Sequence, residues 1–167
     1  MVERVKDIDW SAWQPELVTT LMFVKKSNQV LLIAKKTGLG KGKINGPGGK
    51  IEASETPVEC AVRETREELC IEVIDPLPMA ELFFHAVDMP RIKAYVYVSE
   101  RYTGVPLETA EARPIWYSES QLPFDAMWED DQYWLPQVLL GQALTGWFSF
   151  EGEHLKDHLI ELGPVNF

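Results

Sequence analysis

The stretch that most constrains this chain runs from Gly49-Lys50-Ile51-Glu52-Ala53-Ser54-Glu55 to Arg63-Glu64-Thr65-Arg66-Glu67-Glu68-Leu69-Cys70-Ile71. Six glutamates fall between positions 52 and 68. At about 100° per residue, Glu64, Glu67 and Glu68 share roughly a 100° arc of a helix. Like charges three and four residues apart weaken an isolated helix by about 0.2–0.5 kcal/mol per pair, so this face calls for a cation. Hard carboxylate oxygens suit a divalent metal ion. The plainer alternative is a solvated acidic face.

The local pattern predicts a helix from about Pro57 to Leu69. Thr56 is placed to cap it, Pro57 occupies the first helical position, and Glu59 stands where a capping box needs a carboxylate. Val58, Ala61, Val62, Thr65 and Leu69 recur at helical spacing and predict a core-facing stripe. The acids flank that stripe and remain open to a cleft. Arg63 is spaced to pair with Glu59 and Glu67.

A formal net charge of −10 argues against nucleic-acid polymers, which are bound by neutralising phosphates with Lys and Arg. Its distribution says more. Residues 17–51 hold seven lysines and no Asp, Glu or Arg, which leaves −10 − 7 = −17 on the rest of the chain. A basic strip beside an acidic helix suits a polyanion held by lysines and bridging metal ions together. Cys60 and Cys70, ten residues apart on one helix, would lie about 15 Å apart, too far for a disulfide. They read as reduced thiols. With no apolar run of about 18 residues and no basic-then-apolar leader, the expectation is a cytoplasmic protein without a membrane partner.

A length of 167 residues suits one domain, expected over residues 17–167 behind an N-terminal extension of residues 1–16. That extension carries Trp10 and Trp13, which would pack on the domain or on a partner. Leu17–Lys25 and Gln29–Ala34 read as a hairpin. Residues 38–49 hold six of the eleven glycines and read as a loop able to bring backbone N–H groups near phosphate oxygens. Strands are predicted at Ile71–Ile74, Ala80–Ala86, Ile92–Ser99, Ala112–Tyr117 and Thr145–Glu151. A helical turn is expected near Glu119–Leu122, and a second helix, disturbed by Pro136, up to about Gln142. His154–Leu162 fits a helix or a returning strand. Many strands with two helices give an α+β layered sandwich.

The glutamate segment resembles the Nudix box, in which a glycine, a glutamate, an Arg-Glu pair and a Glu-Glu pair stand at fixed spacings. Gly49, Glu55, Arg63, Glu64, Glu67, Glu68 and Ile71 fall in place, while Thr65 stands at an aliphatic position and Cys70 at a glycine. The resemblance implies a Nudix α/β/α sandwich, a mixed sheet with this helix packed on it. It implies Mg²⁺, with Mn²⁺ as substitute, bridging a nucleotide's phosphates. Glu64, Glu67, Glu68 and the Gly48 carbonyl would be metal ligands. Arg63 would orient the glutamates, and Glu67 or Glu68 would act as base.

Further along, residues 35–50, Trp128-Glu129-Asp130-Asp131-Gln132-Tyr133-Trp134 and Gly146-Trp147-Phe148-Ser149-Phe150 resemble the MutT-homologue subgroup that hydrolyses oxidised purine nucleoside triphosphates. By that resemblance Asn45, Asp130 and Asp131 would bond the purine edge and Trp128 would stack on it. Glu111 would join the metal site, Lys35 would approach the phosphates, and Leu39 would wall the pocket in place of an aromatic. Adjacent carboxyls in an apolar pocket do not both stay ionised cheaply, so one would be protonated and donate. A helix cap is the plainer role for either aspartate. The expected activity is release of nucleoside monophosphate and pyrophosphate. Alternatives are a Nudix pyrophosphatase of nucleoside diphosphate sugars or ADP-ribose, and a non-catalytic nucleotide sensor. Oligomeric state is open.

Overall fold

The computed structural model describes residues 2–167. Its framework is a nine-stranded mixed sheet that forks near its middle. The strands β1 (Leu17–Lys26) and β2 (Gln29–Lys35) leave a two-residue turn in which Ser27 and Asn28 both have positive φ, 51° and 66°. That is the backbone a tight hairpin prefers. They pair only next to the turn, from Val24↔Leu31 to Lys26↔Gln29. Beyond that they diverge. The strands β3 (Ile44–Asn45) and β4 (Gly48–Lys50) fill the gap as a wedge, β3 on Ile33–Ala34 of β2 and β4 on Thr19–Leu21 of β1.

The helix α1 (Pro57–Leu69) follows the wedge, and then come β5 (Glu72–Ile74), β6 (Leu77–Ala86), β7 (Ile92–Ser99), β8 (Arg101–Thr103) and β9 (Ala112–Ser118). The chain finishes with α2 (Asp131–Leu139), β10 (Leu144–Glu151) and β11 (His154–Leu162). β7 pairs parallel along β1's other edge, from Leu17↔Ile92 to Val24↔Ser99. β6 and β10 continue the sheet to β11, β9 pairs with β2, and β5 and β8 form a small ladder of their own.

Alternation along the strands sorts the core into two layers. Met22, Val24, Leu31 and Ile33 meet Ala61, Leu69 and Ile71 under α1. Phe23, Leu32, Leu82, Val96 and Phe148 meet Trp134, Leu135 and Val138 of α2 on the opposite face. Among the described residues no helix is long and apolar enough to cross a membrane.

Residues 2–16 lie on the α1 side of the sheet, over β6 and β10. Trp10 and Trp13 sit 5.4 Å apart, and Trp13 meets Phe83 edge-on at 5.8 Å. The Trp13 indole N–H donates to His85 Nδ1 at 3.2 Å, the Val5 N–H to Asp157 at 2.8 Å, and the Ser149 hydroxyl to the Glu3 carbonyl at 2.6 Å. The indoles therefore pack on the domain.

Several expectations need correction. The glycine-rich segment is a loop only as far as Lys43, because β1 and β2 offer its end free strand edges to pair with. Residues Arg101–Thr103 form β8, outside the predicted strands. The helical turn lies at Phe124–Ala126, not Glu119–Leu122. α2 stops at Leu139, before Gly141 turns the chain at φ 88°. His154–Leu162 is a strand, since β10 offers it a full antiparallel edge.

Candidate active site

α1 begins at the predicted cap, although the Glu59 carboxylate makes no return bond to the Thr56 N–H. The Thr56 hydroxyl accepts from the Glu59 N–H at 3.3 Å, with Pro57 in the first turn. At its other end Cys70 adopts the left-handed conformation, φ 62° and ψ 30°, that a glycine would take more cheaply. Thr65 is fully buried and satisfies its hydroxyl on the Ala61 carbonyl at 2.7 Å. The buried stripe differs from expectation in one respect. Val58 is exposed, and Cys60 lies beneath the helix in its place, 3.3 Å from the Thr20 hydroxyl.

Arg63 is the hub of the acidic face. It holds Glu55 with two bonds, Nε to Oε1 at 2.5 Å and Nη2 to Oε2 at 3.0 Å. Its Nη1 donates to Glu64 at 2.9 Å and to Glu67 at 3.2 Å. Glu59, expected as a partner, is not one, because Glu55 from the preceding loop takes the fork of the guanidinium. The Arg63 hydrogen bonds hold the Glu55 carboxyl at about 2.

On the inner side Glu64, Glu68 and Glu111 bring carboxylate oxygens within 4.8 Å of one another. Glu111 reaches them from the loop before β9, which lies against the end of α1, where the Thr109 hydroxyl donates to the Glu68 carbonyl at 2.8 Å. Glu68 is 4% exposed, and burial, reinforced by the charges of Glu64 and Glu111, pushes its carboxyl up to about 8. The Gly48 N–H, 3.3 Å from Glu68 Oε1, and nearby Lys35 oppose that rise. Burial also raises Glu64. Three hard-oxygen donors so close, one of them nearly buried, fit a divalent cation. Glu67 stays outside this group, half exposed against Arg63.

The wedge separates these carboxylates from a cavity of about 280 Å³ on the α2 side, which Gly48 and Gly49 also line. Lys35, Leu39, Asn45, Trp128, Asp130 and Asp131 all face this cavity. Phe84, Ala86, Met89 and Phe150 line it as well, none of them singled out from the sequence. Alternation along β6 and β10 could have found three of them, since Phe84, Ala86 and Phe150 share the face of Leu82 and Phe148.

The polar groups of the cavity are few and fixed. Asn45 Oδ1 accepts from the Gly46 N–H at 2.8 Å, which leaves the amide nitrogen free to donate. Asp130 and Asp131 are both nearly buried. Asp130 stands at the cap position of α2 but makes no cap bond. Its Oδ2 accepts instead from the Trp134 indole N–H at 2.8 Å. Burial raises Asp130 to about 6. Burial and the neighbouring Asp130 charge push Asp131 well above the ordinary carboxylate range. Asp131 Oδ2 is buried without a hydrogen-bond partner. The cavity thus holds a donor amide, an engaged acceptor and a buried carboxyl raised above its ordinary range, walled by aromatic and aliphatic carbon.

The chain also resembles known proteins over most of its length. The NUDIX domain model matches residues 15–138. The oxidized purine nucleoside triphosphate hydrolase of Danio rerio is 34% identical over 149 residues, covering 86% of this chain and 96% of that protein. Its counterpart of the same description in Mus musculus is 35% identical over 135 residues, 80% of this chain and 86% of that one. Among solved structures, the MutT protein from Bacillus halodurans shares the fold at a TM-score of 0.74 and 22% identity, over 87% of this chain and 97% of that one. A domain match across most of the chain, joined by relatives aligned over nearly their whole length, places this protein in the Nudix hydrolase family.

Proposed function

We propose that this protein hydrolyses oxidised purine nucleoside triphosphates, such as 8-oxo-dGTP or 2-oxo-dATP, to the nucleoside monophosphate and pyrophosphate. It would thereby cleanse the nucleotide pool. The observation that carries this reading is the buried Asp130–Asp131 pair. It sits with Asn45 and Trp128 in a cavity that shares the glycine wall of the Glu64–Glu68–Glu111 group. The relatives' names support the same substrate class.

Glu64, Glu68, Glu111 and the Gly48 carbonyl would hold Mg²⁺, or Mn²⁺ in its place. When bound, the ion neutralises phosphoryl oxygens and lowers the pKa of attacking water. The protein's own residues supply the rest. The amide of Asn45 and the neutral carboxyl of Asp131 donate to acceptor atoms of the base, and Asp130 accepts. Such a set reads an oxidised purine edge while Trp128 offers a π face. Lys35, set between cavity and carboxylates, receives phosphate charge. Arg63 keeps Glu64 and Glu67 oriented, and Glu67 or Glu68 takes the proton from water.

The test is a Mg²⁺-dependent panel of 8-oxo-dGTP, 2-oxo-dATP, dGTP, ADP-ribose and a nucleotide sugar. The oxidised purines should be turned over with the highest kcat/KM, and preference for a sugar diphosphate would refute the reading. Glu67→Gln and Glu68→Gln should each lower kcat by about 10²–10⁴-fold. Glu68→Gln should also lose the rise in Tm that Mg²⁺ gives the wild type through mass action, whereas Glu67→Gln should keep it.

A further inference from the structure

Three segments remote in sequence meet beside the cavity: the glycine-rich loop ahead of β3, residues 128–131, and the β10–β11 turn. The Lys43 ammonium lies 4.9 Å from the centre of the Trp128 ring and 3.5 Å from Glu153. His154 Nδ1 lies 3.0 Å from Glu129. Because Trp128 precedes Glu129 and Glu153 precedes His154, the contacts close into a ring. It runs from Lys43 to Trp128, Glu129, His154, Glu153 and back to Lys43.

Trp128 lines the cavity and Lys43 does not, so the ammonium covers the indole from outside. Phe150, which does line it, meets Trp128 at 6.1 Å with the ring planes 83° apart. Glu153 and His154 are mostly exposed, and a single exposed ion pair holds little. The ring differs from such a pair because each contact places the members of the next, and a cation over an indole is attracted by the ring quadrupole itself.

We propose that Lys43 is a positioning residue for base recognition, fixing Trp128 as a cavity wall through this ring. The proposal rests on the purine reading above. Its rival is that Lys43, one of the lysine strip, contacts the triphosphate directly. The two separate on a ligand without a base.

The experiment compares Lys43→Met, Lys43→Arg and Glu153→Gln at saturating Mg²⁺. It measures kcat and KM for the preferred purine triphosphate, and the inhibition constant of inorganic tripolyphosphate. Lys43→Met should raise KM about three- to tenfold with kcat nearly unchanged, and leave tripolyphosphate inhibition as in the wild type. Lys43→Arg should recover most of the loss, and Glu153→Gln should shift KM the same way by less. Tripolyphosphate weakened in parallel with KM would assign Lys43 to phosphate and overturn the proposal, as would an unchanged KM. A wild type that binds tripolyphosphate but turns over no purine triphosphate would overturn the purine reading first, and this inference with it.

Discussion

Gly49 and Glu64 occupy one space: a Cβ added to the glycine would lie 2.4 Å from the Glu64 carboxyl carbon. The obstacle is the far end of a flexible side chain, so Gly49→Ala should fold with little loss of stability while its Glu64 carboxylate is pushed aside. A displacement of about 1 Å at a reacting site costs on the order of 10²-fold in rate. At Gly48 the same substitution meets the Thr20 carbonyl oxygen at 1.9 Å, which is backbone and cannot yield without parting β4 from β1. Gly48→Ala should therefore lose about 1–3 kcal/mol of stability or more. Activity and denaturant unfolding measured on both variants separate the cases. A Gly49→Ala protein of full activity would contradict this account of Glu64.

Asp131 should make the protein less stable as pH rises. Its folded carboxyl is raised by burial and by Asp130, so above the unfolded value of about 3.9 the folded state binds more protons than the unfolded one. The sign follows. The stabilisation is complete below pH ~4 and is lost as pH rises toward the folded pKa, by at most about 1.4 kcal/mol per pH unit for one proton. Asp131→Asn cannot titrate. Its Tm relative to wild type should climb between pH 5 and pH 8, by about 2–4 °C for each kcal/mol. The same change should disturb discrimination among purine bases more than it disturbs metal binding. Parallel Tm curves across that pH range would refute the raised Asp131.

The N-terminal arm offers a test of its own. Trp13→Phe keeps an aromatic ring near Trp10 and Phe83 and gives up the bond to His85, a loss of about 1 kcal/mol. Trp13→Ala removes the ring as well and should cost about 2–3 kcal/mol, less than the ~3–5 kcal/mol of a fully buried tryptophan. Urea unfolding of the pair measures the difference. Equal stabilities would mean that the ring contacts contribute nothing.

How much of this was legible in advance depended on distance along the chain. The α1 carboxylates and their cap are set by spacings of three and four residues, so the helix was readable from sequence. Which acids meet was not. Glu111 joins Glu64 and Glu68 only through the fold, while Glu67, their neighbour in sequence, faces Arg63 instead. Asp130 stood where a cap is expected, yet its carboxylate turns inward because Trp134, one turn on, offers an N–H in an apolar layer. The wedge escaped because strands of two and three residues carry no periodicity. They exist because β1 and β2 part and leave edges to be paired.

That fork acts as a ruler. Strand β1 contributes Leu21 to the cavity, and its Thr20 carbonyl crowds Gly48 in the wall before the carboxylates. Backbone hydrogen bonds such as Met22 N–H to the Pro47 carbonyl at 2.8 Å lock the wedge to that strand. The separation between the cavity of Asp130 and Asp131 and the Glu64–Glu68–Glu111 group is thus written in main chain, and side chains at either end can be exchanged without resetting it. Under the proposed function, the reading of a base and the cut it directs would be held at a fixed reach by that backbone.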